Sequence, residues 1–519
     1  MKAQDQIESF FQSPASNIPI QKIAVMKNIL KIFFVASIGS MMGCESYMEK
    51  EPIGLITPDQ INTDLTVQSL TSSVNATYQL LSNTLNVIGQ WDWTGGRVLR
   101  NDFVVYDIAS GDMMKKWNPD GDQAWMDEVA SFNFTSINGA FNGVWSYNYE
   151  GISRANLAIK SLESQDLTGL NMSQELKDRL LGEAYFLRAF YYFDLVNNFG
   201  DIPLLTKPLE NFSQAYEVAV RAPKADAFAL IKADLEKSLG FLPVRKYAND
   251  AEPWRISIGA VKAMQAKVAL FQQDWVATLG FINQLEAYGF YQLNPKYFDA
   301  FDASKKFQEQ EVILAYDHRE AQNPGRGNGL AALTGWGFVA PSENFLQAFE
   351  PNDPRLAYTV EVEARQVHKI LGSTDGAFRG NDDSPGNKIY IRYADVLLWK
   401  AEALIQTGDI TGGLVLIDKI RERARTSPQI DGSAVPADAL PAYSGKSLTK
   451  NQAIEALIHE RRVELGFESH RFNDLKRWGI AKEVLTALGK NFQDHHYLYP
   501  VPQGEIDRSG AQITQNPGY

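Results

Sequence analysis

One stretch constrains this chain more than any other: GEAYFLRAFYYFDLVNNFGDIPLLT, residues 182–206. Leu180, Ala184, Leu187, Tyr191 and Leu195 recur at three- and four-residue steps, which places them on one face of a helix. Phe186, Phe190 and Phe193 fill an adjacent face. A helix that is apolar round most of its circumference must be surrounded by other helices. Arg188 and Asp194 interrupt the apolar pattern and need partners if they are buried. Gly200 supplies a C-terminal stop, and Pro203 keeps the helix from resuming.

The other periodic segments supply those neighbours. The spacing predicts helices over about 66–85, 141–162, 224–242 and 451–467. Two further segments read as helical hairpins, 257–272 with 275–288 and 390–406 with 411–425. In each, a first helix rich in alanine (Ala260, Ala263, Ala266 and Ala269; Ala394, Ala401 and Ala403) meets a short turn and a second helix. Small residues let paired helices approach closely, and the layout is similar to tetratricopeptide repeats. Residues 311–316 read as a short strand. The fold class expected is mainly α: a tetratricopeptide-like helical hairpin scaffold with an irregular, loop-rich ligand-binding part. The loop insertions fall at about 89–134 and 289–387.

The chemistry that the residues offer is limited. The 519 residues are 45% hydrophobic, enough for one large domain or two closely packed ones. A net charge of −12 disfavours nucleic acid, which needs a basic footprint. A single cysteine excludes an intramolecular disulfide and a Cys-rich zinc site. None of the six histidines forms an HExxH pair, and no nucleophile elbow or phosphate loop occurs. The Gly325–Gly329 run lacks a strand-to-helix context and reads as a flexible loop. Glu460, Glu464 and Glu468 sit four apart, as a glycosidase acid and base or a set of metal ligands would. Arg461, Arg462 and Arg471 are interleaved with them, so local ion pairing is the simpler reading. Asn118-Pro119-Asp120-Gly121-Asp122 resembles the start of a calcium loop, but Gln123 and Val129 break the pattern at its sixth and twelfth positions, which makes a turn the expectation. No cofactor is expected, with calcium there as the minor alternative. Four of the ten tryptophans, Trp91, Trp93, Trp117 and Trp125, crowd into residues 89–134 among glycine and proline breaks. Loops on a rigid scaffold are where binding groups gather; the competing reading is that these rings plug the loop onto the core.

The sole cysteine, Cys44, has informative neighbours. Lys27 and Lys31 make a basic stretch after Met26, residues 32–42 are mostly apolar, and Gly43 precedes the cysteine. About eleven apolar residues are too few to span a bilayer but suit a signal peptide. Residues 1–43 are therefore an upstream extension plus a lipoprotein signal peptide (about 26–43), with Met1 or Met26 as the start. Cys44 is expected as the acylated first residue of a mature domain over 44–519. The competing reading is a buried apolar segment with an incidental cysteine.

Three segments carry a family resemblance. The first is Leu187 through Leu195 with the Phe199-Gly200-Asp201-Ile202-Pro203-Leu204 exit; the second is Glu460 through Gly479; the third is Tyr499-Pro500-Val501-Pro502-Gln503-Gly504-Glu505-Ile506, closed by Gln515-Asn516-Pro517-Gly518-Tyr519. Together they resemble the SusD/RagB family of nutrient-binding outer-membrane lipoproteins of Bacteroidetes. The resemblance implies a non-enzymatic protein, lipid-anchored in the outer membrane and facing the cell exterior. It implies capture of glycans, or of peptides as in some relatives, for a SusC-like TonB-dependent transporter. The acidic segment after Cys44, with Glu45, Glu49 and Glu51, is similar to the tethers of surface-exported relatives. By region, the resemblance points to Trp91, Trp93, Arg97, Asp102, Trp117 and Asn118, with Tyr316 and Trp336, as ligand-binding residues. Two other classes compete. One is a helical-repeat adaptor binding a protein partner only, with the tryptophans as a dry interface. The other is a glycoside hydrolase, which would need a placed carboxylate pair. If Cys44 carries the anchor, Cys44→Ser should move the protein from the membrane to the soluble fraction; an unmodified Cys44 in the membrane-bound wild type, read by mass spectrometry, would refute acylation.

Overall fold

The computed structural model describes residues 65–116 and 121–519. Residues 1–64, with Cys44 and the expected signal segment, and 117–120, with Trp117, Asn118 and most of the calcium-like turn, lie outside the described residues. In chain order the scaffold helices are α1 (Val67–Tyr78), α2 (Gly139–Glu163), α3 (Gln174–Phe199), α4 (Lys224–Phe241), α5 (Ile258–Phe271), α6 (Trp275–Ala287), α7 (Gly329–Trp336), α8 (Tyr393–Thr407), α9 (Ile410–Thr426) and α10 (Lys450–Glu464). Three antiparallel two-stranded pairs accompany them among the described residues, and the longest joins β1 (Val312–Tyr316) to β2 (Lys388–Arg392).

Helix α3 is the expected central element. The Ser173 hydroxyl accepts from Leu176 N–H at its start, and Gly200 closes its end at φ 74°. Leu180, Ala184, Leu187, Tyr191 and Leu195 are all fully buried, against α1, α2 and α4. Both interior charges find partners. Arg188 donates two hydrogen bonds to Asp234 of α4, at 2.7 and 2.8 Å, and a third to Asn156 of α2 at 2.8 Å. Asp194 accepts from Arg100 at 2.7 Å and from Asn148 of α2 at 2.6 Å. Each charge thus fixes α3 to a neighbour instead of stranding an ion in the core.

The two hairpins form as the spacing predicts. Asp274 caps α6 by accepting from Ala277 N–H at 3.0 Å, and Asp409 caps α9 by accepting from Gly412 N–H at 2.8 Å. Close packing needs the small residues: a side chain at Gly413 would meet the Ala401 carbonyl of α8 at 2.8 Å. Helix α6 also packs on α8, so the hairpins stack in the tetratricopeptide manner.

Several boundaries shift. Helix α1 gives way at Tyr78 to a 3-10 turn over Gln79–Leu81, short of residue 85, because Ser82 turns extended and its hydroxyl donates to the Gln79 carbonyl at 2.7 Å. Residues 390–392 belong to β2, since their backbone pairs with β1, and α8 begins only at Tyr393. The 89–134 insertion is less irregular than expected: it holds a buried π-helix, Phe103–Ile108, and a helix, Ala124–Ser131. The Gly325–Gly329 run does lead into a helix, with Asn328 capping α7.

The carboxylates of α10 are paired, but not with the arginines beside them. Glu464 accepts from Arg355 at 3.0 Å, from Arg392 of β2 at 2.7 Å and from Arg423 of α9 at 2.5 Å. Glu460 takes Arg355 and Arg421, and Glu468, just past the helix, takes Arg392 and Lys369. Arg461 turns instead to Asp395 and Asp474, and Arg462 to Asp112. The local pairing expected from sequence spacing is therefore replaced by tertiary pairing. All three glutamates are buried.

Two tests follow from this network. Glu464→Ala leaves three guanidinium groups short of a buried partner and should cost about 3–5 kcal/mol in a denaturant titration. Burial pushes Glu468 upward, but the Arg392 and Lys369 cations outweigh it and hold the carboxyl at about 2. Asp474 is likewise held at about 2, with burial outweighed by Arg461 and Arg477. A depressed folded-state value stabilises above the unfolded-state value, so stability should be lost as pH falls from about 4.5 towards about 2. A melting temperature that stays flat across that window would contradict it.

Candidate functional site

The strongest candidate is built from two regions far apart in sequence. Residues 92–97 close on themselves. One Asp92 oxygen accepts from Gly95 N–H at 2.7 Å, the other from the Arg97 guanidinium at 2.7 and 3.2 Å, and Arg97 N–H donates back to the Asp92 carbonyl at 2.9 Å. The Arg97 guanidinium beside it holds the Asp92 carboxyl below the usual range. This loop is then pressed onto the start of α2. Gly96 sits at φ 68°, and a side chain there would meet the Gly139 carbonyl at 1.9 Å. Asn101 donates to the Gly96 carbonyl at 2.6 Å, Asn142 to the Gly95 carbonyl at 3.0 Å, and the Tyr147 hydroxyl to the Arg97 carbonyl at 3.1 Å. The Gly95, Gly96 and Arg97 carbonyls are answered from outside the loop and the Asp92 carbonyl from within it, so each is satisfied.

The result is an aromatic arc. Trp93 meets Trp91 edge-on, with ring centroids 6.4 Å apart. It meets Trp336, the last residue of α7, at 6.3 Å and 53°, and rests on Phe338 at 5.6 Å. Trp91 is 57% exposed and Trp336 46% exposed, while Trp93 and Phe338 are half-buried beneath them. Large aromatic rings left open together on a rigid base mark a binding surface. Arg97 borders the arc, half-exposed and paired with Asp92.

The residues named from sequence therefore divide. The structure brings together Trp91, Trp93 and Trp336, with Arg97 beside them. It does not bring Asp102 there. Asp102 is buried between Arg100, at 3.0 Å, and Lys388; burial raises its carboxyl, and these two cations outweigh that and lower it. Tyr316 is 7% exposed, its ring edge-on to buried His318 at 4.8 Å. Trp125 is also buried, its indole N–H donating to Gln123 at 2.8 Å, so here the plugging reading holds. Sequence reasoning passed over Asp92 and Phe338. Their positions beside Trp93 and Trp336 were the available signal, but an aspartate and a phenylalanine in a loop carry no motif.

Among the described residues, no group of three or more metal-ligating side chains comes together, and no helix is long and apolar enough to cross a membrane.

Residues 278–497 match the model of the SusD family, and residues 64–270 match a model described as starch-binding, associating with the outer membrane. A SusD-like protein of Formosa agariphila is 28% identical over 94% of this chain and 99% of its own length. The structure of a laminarin-binding SusD-like protein covers 88% of this chain and 100% of that one, with 25% identity and a TM-score of 0.70. Surface glycan-binding protein A from Bacteroides thetaiotaomicron, solved with laminarihexaose, shares the fold at a TM-score of 0.67 over 87% of this chain and 100% of its own, with 18% identity. The two solved structures are described as binding proteins. Two adjoining family models, near full-length likeness to SusD-like proteins, and the stacked helical fold lead to one assignment: the chain belongs to the SusD/RagB family.

Proposed function

We propose that this protein captures oligosaccharide or polysaccharide outside the cell and delivers it, uncut, to a SusC-like TonB-dependent transporter. The observation that carries the reading is the arc of Trp91 and Trp93, on a hydrogen-bonded loop, with Trp336 at the end of α7, its outer rings open to solvent. A sugar ring lays its C–H face on an indole, while neighbouring charged and amide groups take its hydroxyls. Prior fixing of the rings lowers the ordering cost of binding. The family description places such proteins with the outer membrane, and a relative of 25% identity is described as binding laminarin. The acyl anchor at Cys44, an outward-facing body and the transporter partner are part of the same proposal.

A binding role without bond cleavage is supported by the state of the carboxylates. The most suggestive set, Glu460, Glu464 and Glu468, is spent on buried arginines and Lys369.

The test is calorimetry of the Cys44→Ser protein with a panel of neutral and acidic glycans. Trp93→Ala and Trp336→Ala should each weaken the binding seen by about 1 kcal/mol or more, roughly fivefold. Unchanged affinity in both variants would remove the arc as the site. Reducing-sugar release by the wild type would overturn the non-catalytic reading. Silence across the panel, with one polypeptide copurifying, would replace glycan capture by the adaptor or peptide-binding alternative.

A further inference from the structure

A separate cavity is built in part from the chain just before Trp91 and from the loop just before α7, the helix that ends at Trp336. Before reaching Trp91, the chain runs along the loop that precedes α7. The Thr84 hydroxyl donates to the Gly327 carbonyl at 3.1 Å, and Gly329 N–H donates to the Asn83 carbonyl at 3.0 Å. Thr84, Asn86 and Val87 then line a groove of about 920 Å³, within the size range of ligand sites. Helix α7 links the two places. Gly327, just ahead of its cap, borders the groove, and Trp336 at its far end belongs to the arc. They are nine positions apart, and the seven steps within α7, at 1.5 Å each, span about 10 Å of that separation.

The lining has its own aromatic surface. Trp254 is half-buried, held edge-on by Tyr78 at 5.2 Å and covered on one side by the Arg255 guanidinium at 4.5 Å. Tyr316 lines the same cavity, so this residue sits at the groove and not at the arc. Polar groups surround the rings. The side chains of Asn86, Asn323 and Asp382 line the groove and have no hydrogen-bond partner among the described residues.

The charges say what class of chain fits. Arg319 and Arg326 face the groove together with Glu252, Asp382 and Asp383. Arg319 is already paired with Asp317 at 2.6 Å. A polyanion is recognised by cations in excess and free to fork onto its oxygens. Here three acids face two bases, so cations are not in excess. Such a lining suits hydroxyls, which donate and accept equally, and repels a string of carboxylates or sulfates.

We propose that this groove is a second subsite, which takes the continuation of a neutral polysaccharide whose other part stacks on the tryptophan arc. The ligand class is then an uncharged glycan long enough to bridge both places. The proposal rests on the glycan reading above.

The experiment uses the full chain with Cys44→Ser and soluble laminarin, amylopectin, galactomannan, polygalacturonate and carrageenan. The neutral polymer that binds tightest is then offered as oligosaccharides of increasing length. Wild-type affinity should rise at least tenfold from disaccharide to octasaccharide. Trp254→Ala and Arg319→Ala should remove most of that gain, about fivefold or more, and leave the short ligands unaffected. Trp93→Ala should weaken long and short ligands alike. Arg319 is exposed, so its variant keeps the test valid if loss of Trp254 disturbs packing against Tyr78. If Trp93→Ala weakens binding but Arg319→Ala and a folded Trp254→Ala do not, the groove proposal fails and glycan capture at the arc stands. If no glycan binds, or Trp93→Ala changes nothing, glycan capture at the arc fails, and the groove proposal with it. Tighter binding of polygalacturonate or carrageenan than of any neutral polymer would overturn the assigned class.

Discussion

Glu464 is the residue on which most of this structure hangs. Three guanidinium groups converge on one carboxylate, and they come from β2, from α9 and from the segment that holds Arg355. Lys369 reaches the same place by donating to the Glu464 backbone carbonyl at 2.9 Å. Removing ions from water is expensive, and the cost is recovered only when each finds well-placed partners. The network accordingly tolerates one arrangement of these segments. A network of paired buried ions rigidifies the segments it joins.

That rigidity reaches the binding surface. Arg392 ties β2 to α10, and β2 pairs with β1, which leads into the loop ahead of α7. Lys388, at the other end of β2, pairs with Asp102 beside the tryptophan loop. Asp102 also holds Arg100, whose second partner is Asp194 in the central helix. A continuous chain of ion pairs therefore runs from α3 past the tryptophan loop, and β2 carries the connection on to α10. Trp93 and Trp336, 243 positions apart in the chain, are set 6.3 Å apart by elements that cannot move independently. Aromatic surfaces fixed in this way suit a ligand that is itself long and only loosely ordered, because the protein has little freedom left to lose on binding.

Much of the scaffold was legible in the residues. The apolar circumference of 182–199 demanded a central helix, and Arg188 and Asp194 announced that they would need partners. Asp274 and Asp409 marked the turns of the two hairpins. The glutamates of α10 show where such reading stops. Their four-residue spacing favoured the neighbouring arginines, and a helix alone would form those pairs. In the folded chain the same carboxylates are buried, where only fully satisfied, tertiary partners offset desolvation. Asp102 and Tyr316 show the same divide at the site. An aspartate and a tyrosine near clustered tryptophans are reasonable ligand contacts by type. Burial gives Asp102 to Lys388 and Arg100, and places Tyr316 on the wall of a different cavity.

What the sequence by itself determined is periodicity: which segments are helices, where glycine or aspartate ends or starts them, and that a lone cysteine follows a short apolar run. These are properties of neighbours within a few positions, and local sterics and hydrogen bonding suffice to set them. What only the tertiary structure decided is which rings remain open to solvent and which charges are spent inside. Those outcomes depend on contacts between residues separated by tens to hundreds of positions, and no local pattern encodes the burial that selects among them.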